Sequence, residues 1–480
     1  MTFPRLTAFL CLMAAAAAVR AHADEVNFWP AYVLKEDPSG KTLAWSGLGP
    51  FLFSGPDPGP FDAHSWGFRP FFVHRVDDET ERTNILYPLF FYRKYSGSYK
   101  WSVLNLINHE GISNDVTRAG GPLDRHFDVW PFYFSHETGD PIDTYHALFP
   151  IYGTMKYRLG FDQLTWAPFP LFVESVKKKT RTYYTPWPIV RVIKGAENGF
   201  ALWPVFGMTK GPGPARHSYF IWPLIWDNTV LPGPNAPEGT APGTQVGFLP
   251  FYTREKSPGS INENFLWPFF GYTERRSPDR YSEQRYFWPF LVQGRGEDLL
   301  VNRWGPVYTH SDVKGLDSTW LLWPLFHRTK WVDGDIGQDK TQFFYFVYWS
   351  LEQRSVSRPG LDHAYKRHVW PFASIWDNGA GSRQVQIPSP LEVFFPDNPD
   401  MRDSWTPLFS VYRYDHRPDG ETRNSLFWDA ITWRHDASRT LVEFHVGPIL
   451  GMRRRSDRTD WTILGFDFGP KLDKDGQANR

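Results

Sequence analysis

The chain of 480 residues carries 52 basic and 52 acidic side chains, for a formal net charge of zero, so composition offers no footing for a nucleic-acid partner. With 40 Phe, 22 Tyr, 23 Trp, 39 Gly and 42 Pro, its usage suits strands and turns and argues against a helical bundle. One cysteine, Cys11, lies close to the start, so a chain cleaved beyond it has neither disulfides nor thiolate metal sites.

The N-terminus reads as an export signal over residues 1–23. Arg5 supplies the basic end, Leu6 to Val19 the apolar run, and Ala21-His22-Ala23 the small-residue cleavage pattern, with Asp24 the first mature residue. That run falls short of the roughly twenty residues a spanning helix needs. Leu10 before Cys11 makes a poor lipidation site. Removing Arg5 and Arg20 with the leader leaves 50 basic against 52 acidic residues. No later stretch approaches eighteen consecutive apolar residues, so any membrane crossing would use strands.

A repeat then fills residues 24–470, which read as a single β domain before a polar tail over 471–480. An aromatic or apolar residue followed by proline recurs at Pro131, Pro150, Pro170, Pro188, Pro204, Pro223, Pro250, Pro268, Pro289, Pro306 and Pro324, with gaps of 16 to 27 residues. Pro30, Pro50, Pro70 and Pro88 extend it toward the N-terminus, and Pro371, Pro407 and Pro448 toward the C-terminus. Polar links such as SPDRYSE and QGRGED read as hairpin turns. The longest link, Asn228 to Gln245, reads as an exposed loop, and helical periodicity is absent. One strand and one turn per nineteen residues predicts an all-β, up-and-down antiparallel meander of about 22 to 24 strands. Closure would remove its edges.

Export, the absence of a helical span, abundant aromatics and this spacing together resemble the plan of outer-membrane β-barrels. The resemblance implies a closed transmembrane barrel in the outer membrane, acting as a pore, a transport or export component, or a structural envelope protein. Its partners would be outer-membrane lipid and envelope proteins. Two features pull the other way. Proline lacks the ladder donor, and in FLWPFFG both strand faces are apolar, with Phe265, Trp267 and Phe269 on one and Leu266, Pro268 and Phe270 on the other. A bulge at each Trp-Pro step would reconcile them. The rival reading makes each Trp-Pro a corner between short strands of a soluble, exported solenoid or propeller-like scaffold in the periplasm, binding a protein or glycan. The terminal pattern departs from the barrel plan, since Phe468 lies twelve positions from the end.

No catalytic, cofactor or metal site is predicted. His109-Glu110 and His136-Glu137 lack the second histidine of a zinc-protease helix and read as polar turns. Asp333, Asp335 and Asp339 alternate like calcium ligands, but Gly337, Gln338 and Phe344 stand where an EF-hand loop needs a ligand, a glycine and a glutamate, so an acidic hairpin is expected. Asp397, Asp400 and Asp403 form a weaker cluster. Lys177, Lys178, Lys179 and Arg181, and Arg453, Arg454 and Arg455, read as solvated charge that could meet lipid phosphates.

Overall fold

A computed structural model describes residues 25–36, 42–56, 63–77, 80–112, 122–233, 239–277, 279–396, 398–455, 458–464 and 466–468. The export signal, Cys11 and the polar tail lie outside them. Among the described residues the chain is almost entirely β, with forty-four strands in one antiparallel sheet.

Strand number is where the fold departs from the expectation. Each repeat unit holds two short strands, so there are forty-four and not 22 to 24. In the unit around Trp267, the strands Ser260–Phe265 and Phe270–Arg275 pair antiparallel, with Phe265 opposite Phe270. Leu266, Trp267, Pro268 and Phe269 are therefore the turn. Proline sits at the hairpin corner and not at a bulge inside a strand, which is where its fixed φ and missing N–H cost least. No hydrogen-bonded pairing among the described residues joins the first strand, Glu25–Phe28, to the last, Phe466–Phe468, so a closed barrel is not formed by the backbone ladder.

The described residues fall into two compact units, one from Met1–Phe91 with Ala364–Arg480, the other Tyr92–His363. The second unit is a meander of short strands from Ser98–Val103 to Tyr348–Ser355. Its substantial strand packing, among the described residues, runs between chain neighbours. Both faces carry polar side chains along the strand middles. Asn262 and Asn264 alternate with Glu263; Asn262 lies opposite Thr273, and Glu263 opposite Tyr272. A local apolar cluster of Tyr145, Ala147, Met155, Trp166 and Val173 is the exception. The predicted long loop is shorter than expected. Asn228–Val230 close one strand and Gly243–Gln245 open the next, with Val230 opposite Gly243.

The first unit is layered, its N-terminal run of strands packed through side chains on its C-terminal run. A short helix, Pro399–Ser404, and the turn Thr406–Phe409 add the helical structure that periodicity missed. Asn398 caps the helix, accepting from the Met401 N–H at 3.1 Å, and Pro399 fills the first helical position. Helix and N-terminal run are tied by Asn84 to Asp400 at 3.0 Å, Arg75 to Asp403 at 3.2 Å, and the Trp405 indole to the Tyr87 carbonyl at 2.7 Å.

Candidate functional site

The repeat builds an apolar rim. In an antiparallel meander alternate turns fall at opposite edges, and in the second unit one edge collects the Trp-Pro corners while the other collects polar turns such as Gly334-Asp335. The corners are joined to one another by backbone hydrogen bonds. Trp130 N–H donates to the Leu106 carbonyl at 2.8 Å, Phe149 to Phe132 at 2.7 Å, Phe169 to Pro150 at 2.8 Å and Trp187 to Pro170 at 2.7 Å. The chain of bonds continues through Trp203 to Ile189, Trp222 to Pro204, Leu249 to Leu224, Leu266 to Phe251, Trp288 to Phe269 and Phe344 to Leu325.

Inside most corners the donor after proline is also used, whereas the N–H groups of Ile151, Leu171 and Trp267 have no partner among the described residues. Phe132 N–H reaches the Val129 carbonyl at 2.7 Å, Phe269 reaches Leu266 at 3.0 Å, and Phe290 reaches Phe287 at 2.7 Å. The residue between has no N–H to satisfy, because it is proline. A rim of this kind exposes aromatic surface while pairing most of its amide donors. Trp130 is 59% exposed, Trp267 46% and Phe251 54%. Because the chain reverses at each corner, a corner with one flanking residue on either strand advances only about two to three residues along the strand direction, an apolar band roughly 7–10 Å deep at about 3.4 Å per residue. Beyond it the strands turn polar within two residues, with ion pairs such as Arg254 to Glu263 at 3.0 Å and Arg328 to Asp339 at 2.6 Å.

A second feature lies in the first unit. A cavity of about 210 Å³ between its two chain runs is lined by charged and polar groups, among them Lys35, Arg69, Arg413, Asp415, Arg423 and Asp429. Glu25, 2% exposed, accepts from Arg423 Nε at 3.0 Å and from Thr432 Oγ1 at 2.7 Å, and Arg423 Nη2 donates to Asp429 at 2.8 Å. Burial pushes the Glu25 carboxyl upward, but the Arg423 guanidinium outweighs it and holds the group well below the usual carboxylate range. Arg413 is paired with Asp415 at 2.8 Å, and Arg402 with Glu392 at 3.4 Å. Arg69 has no carboxylate among the described residues; it donates to the carbonyls of Asp403 and Pro50 and stacks on the Phe53 ring, 3.3 Å from its centroid. Burial lowers the Lys35 ammonium to about 8, with the Arg423 charge adding to the effect.

A third cluster places Asp124, His126 and His136 on one face of adjacent strands, with His126 opposite His136. His136 Nε2 lies 2.8 Å from Asp124 Oδ1. The imidazole rings stack with centroids 3.8 Å apart and planes 10° from parallel. An ion about 2 Å from a nitrogen on each of two rings stacked this closely would stand far out of each ring plane, which is poor coordination. The pair is better described as a proton-linked contact. Burial lowers the His126 pKa, and the neighbouring His136 and Arg158 charges add to it.

The chain matches no protein-family model and no curated protein. Function rests on geometry.

The residues singled out by sequence are dispersed. His109 lies in the strand Ile107–Ile112, its Nε2 2.7 Å from the Tyr99 hydroxyl, and His136 in the strand Tyr133–Thr138; neither is in a turn. Asp335 sits in a two-residue hairpin and accepts from Ser355 and Ser357, while Asp339 pairs with Arg328. Asp400 and Asp403 anchor the short helix, and Asp397 lies outside the described residues. Lys178 and Lys179 form a turn, Arg181 pairs with Glu174 at 3.0 Å, and Arg453 pairs with Glu443 at 3.2 Å. Sequence reasoning missed Glu25, Lys35, Arg69 and Arg423. One signal was available: Arg69 stands before Pro70, where the repeat elsewhere puts an aromatic or other uncharged residue.

Proposed function

We propose that this is a cell-envelope protein that rests on a lipid leaflet, with its Trp-Pro rim immersed to roughly 7–10 Å and its polar sheet standing in water. The observation that carries the proposal is the rim itself: exposed aromatics on corners that are hydrogen-bonded one to the next through most of their amide donors. Lipid admits backbone only when its polar groups are paired internally, and surface-lying elements reach about 5–10 Å into the headgroup and acyl boundary. Indole and phenol rings favour that boundary.

The outer-membrane setting expected from the export signal is kept in this proposal, and the role is structural. A spanning pore is not part of it, for reasons of length and pattern. The longest strands have eight residues, a spanning strand takes about nine to eleven, and an outward apolar band about 25 Å tall is needed. The polar strand middles could not face hydrocarbon at such depth.

Vesicle co-flotation tests the proposal. Replacing Phe251, Phe269 and Phe290 together by Asp puts three charges into the rim without touching a strand. Flotation of the mature protein with phospholipid vesicles is expected, and its loss in the triple variant with an unchanged far-ultraviolet circular dichroism spectrum. Flotation that survives the triple substitution would contradict the proposal.

A further inference from the structure

We propose that the cavity between the two chain runs of the first unit is an anion site that takes a phosphate or a phosphate monoester, held by Lys35 and Arg69. Positive charge is in excess around this half-enclosed cavity. Five cations line the cavity, Lys35, Arg69, Arg402, Arg413 and Arg423, against three carboxylates, Asp403, Asp415 and Asp429. Arg423, Arg413 and Arg402 are taken up by Glu25 with Asp429, by Asp415 and by Glu392. Asp403 is engaged by Arg75. Lys35 and Arg69 remain, with no carboxylate among the described residues within ion-pair distance of either; because Arg423 faces two carboxylates, Glu25 and Asp429, the net excess is one positive charge, and Asp429 acts on Lys35 only from a distance.

A protein does not hold two such cations in a half-enclosed space at no cost, since each loses hydration that no partner replaces. An oxyanion would supply what is missing. The Lys35 ammonium offers a point charge, and Arg69, already oriented by two carbonyls and the Phe53 ring, offers a fixed planar donor. Of the serines that line the same space, Ser46 and Ser410 already donate to Asp429 and to the Thr406 carbonyl and Ser54 bonds His64, which leaves Ser65 and Ser425 as neutral donors.

Position narrows the source. Gly49 and Pro50, which belong to an apolar corner, line the cavity, and Arg69 replaces the usual uncharged corner residue. The cavity thus reaches the corner level of its own unit, where a lipid phosphate would stand if those corners are immersed. The same chemistry serves free phosphate, and that form of the proposal does not rest on the lipid reading.

Two arms separate the sources. In the first, inorganic phosphate is titrated calorimetrically into the lipid-free mature protein, its Lys35→Met variant and its Lys35→Arg variant. Saturable heat in the wild type, weakened about tenfold or more by Lys35→Met and largely kept by Lys35→Arg, assigns free phosphate. In the second, flotation with vesicles containing phosphatidic acid is compared with flotation on phosphatidylcholine alone. A preference for phosphatidic acid that Lys35→Met abolishes assigns the lipid monoester. Lys35→Arg guards against a folding defect, because it keeps the charge while changing the side chain. If phosphate gives no saturable heat and the vesicle preference is absent or indifferent to Lys35, the proposal is overturned. A rim that fails to enter lipid shows itself separately, as absent flotation on every vesicle.

Discussion

Glu25 is a buried charged tie between the two chain runs of the first unit, and its removal has a calculable result. Its carboxylate is almost fully buried and takes hydrogen bonds from Arg423 Nε at 3.0 Å, Arg423 Nη2 at 3.3 Å and Thr432 Oγ1 at 2.7 Å. Glu25→Gln keeps the shape and removes the charge, leaving Arg423, 7% exposed, with Asp429 alone. Breaking a buried pair by removing one partner costs about 3–5 kcal/mol. If both strands open together, that loss speeds their amide exchange roughly a hundred- to several-thousand-fold, at 1.4 kcal/mol per decade. Hydrogen-exchange mass spectrometry on peptides covering Glu25–Phe28 and Thr422–Leu426 reads it directly. The acid response gives a second reading. Because the folded carboxyl is held below its usual range, its stabilisation is present above the ordinary pKa near 4.5 and is lost as pH falls through the folded value. Glu25→Gln should therefore lose this part of the acid dependence. Faster exchange confined to Glu25–Phe28, with Thr422–Leu426 unchanged, would refute the idea that the two chain runs hold each other.

The remaining expectations concern the other charged groups. Lys35 has its folded pKa lowered to about 8 from 10.5, so its charge is a liability at neutral pH; the fold should gain stability between pH 8 and 10.5, where the unfolded chain binds the extra proton. Lys35→Met should accordingly raise the midpoint of thermal unfolding at pH 7, by up to about 3 kcal/mol in stability, and the gain should shrink by pH 10; equal midpoints at pH 7 would contradict this. His126, lowered by burial and then by His136 and Arg158, resists protonation while folded, so stability falls as pH drops below its unfolded value near 6.5. Exchange in Asp124–Val129 and Tyr133–Thr138 should rise between pH 7 and 5.5, and His126→Gln should remove that rise. Added zinc should leave the same peptides unprotected, since the stacked rings do not converge on an ion.

Much of the architecture was legible in the sequence, and the misreadings have identifiable causes. The period, the aromatic punctuation and the antiparallel meander follow from the spacing of Pro131 to Pro324. The strand count did not, because FLWPFFG is one unbroken apolar run whether it is a strand middle or a hairpin corner with an apolar residue on each flank. Its meaning depends on whether Phe265 faces Phe270, and that is a pairing between residues. Both faces read as apolar because the apolar direction lies along the strand, toward one edge, and not across the sheet. The short helix carried a readable start in Asn398-Pro399, but a single turn and a half leaves no periodicity to find. The charged cavity was invisible for a different reason. Glu25 and Arg423 are 398 positions apart, and nothing local marks either as buried. His136 was assigned to a turn because its partner His126 lies across a hairpin whose register the sequence does not print.

The central claim, that the Trp-Pro rim enters one leaflet to a shallow depth, is tested most directly by quenching tryptophan fluorescence with brominated phospholipids on reconstituted vesicles. Bromines placed near the headgroup end of the acyl chain should quench strongly, and bromines near the bilayer centre weakly. Equal quenching at both depths would indicate spanning strands, and no quenching at either would mean that the rim never meets lipid; each contradicts the account.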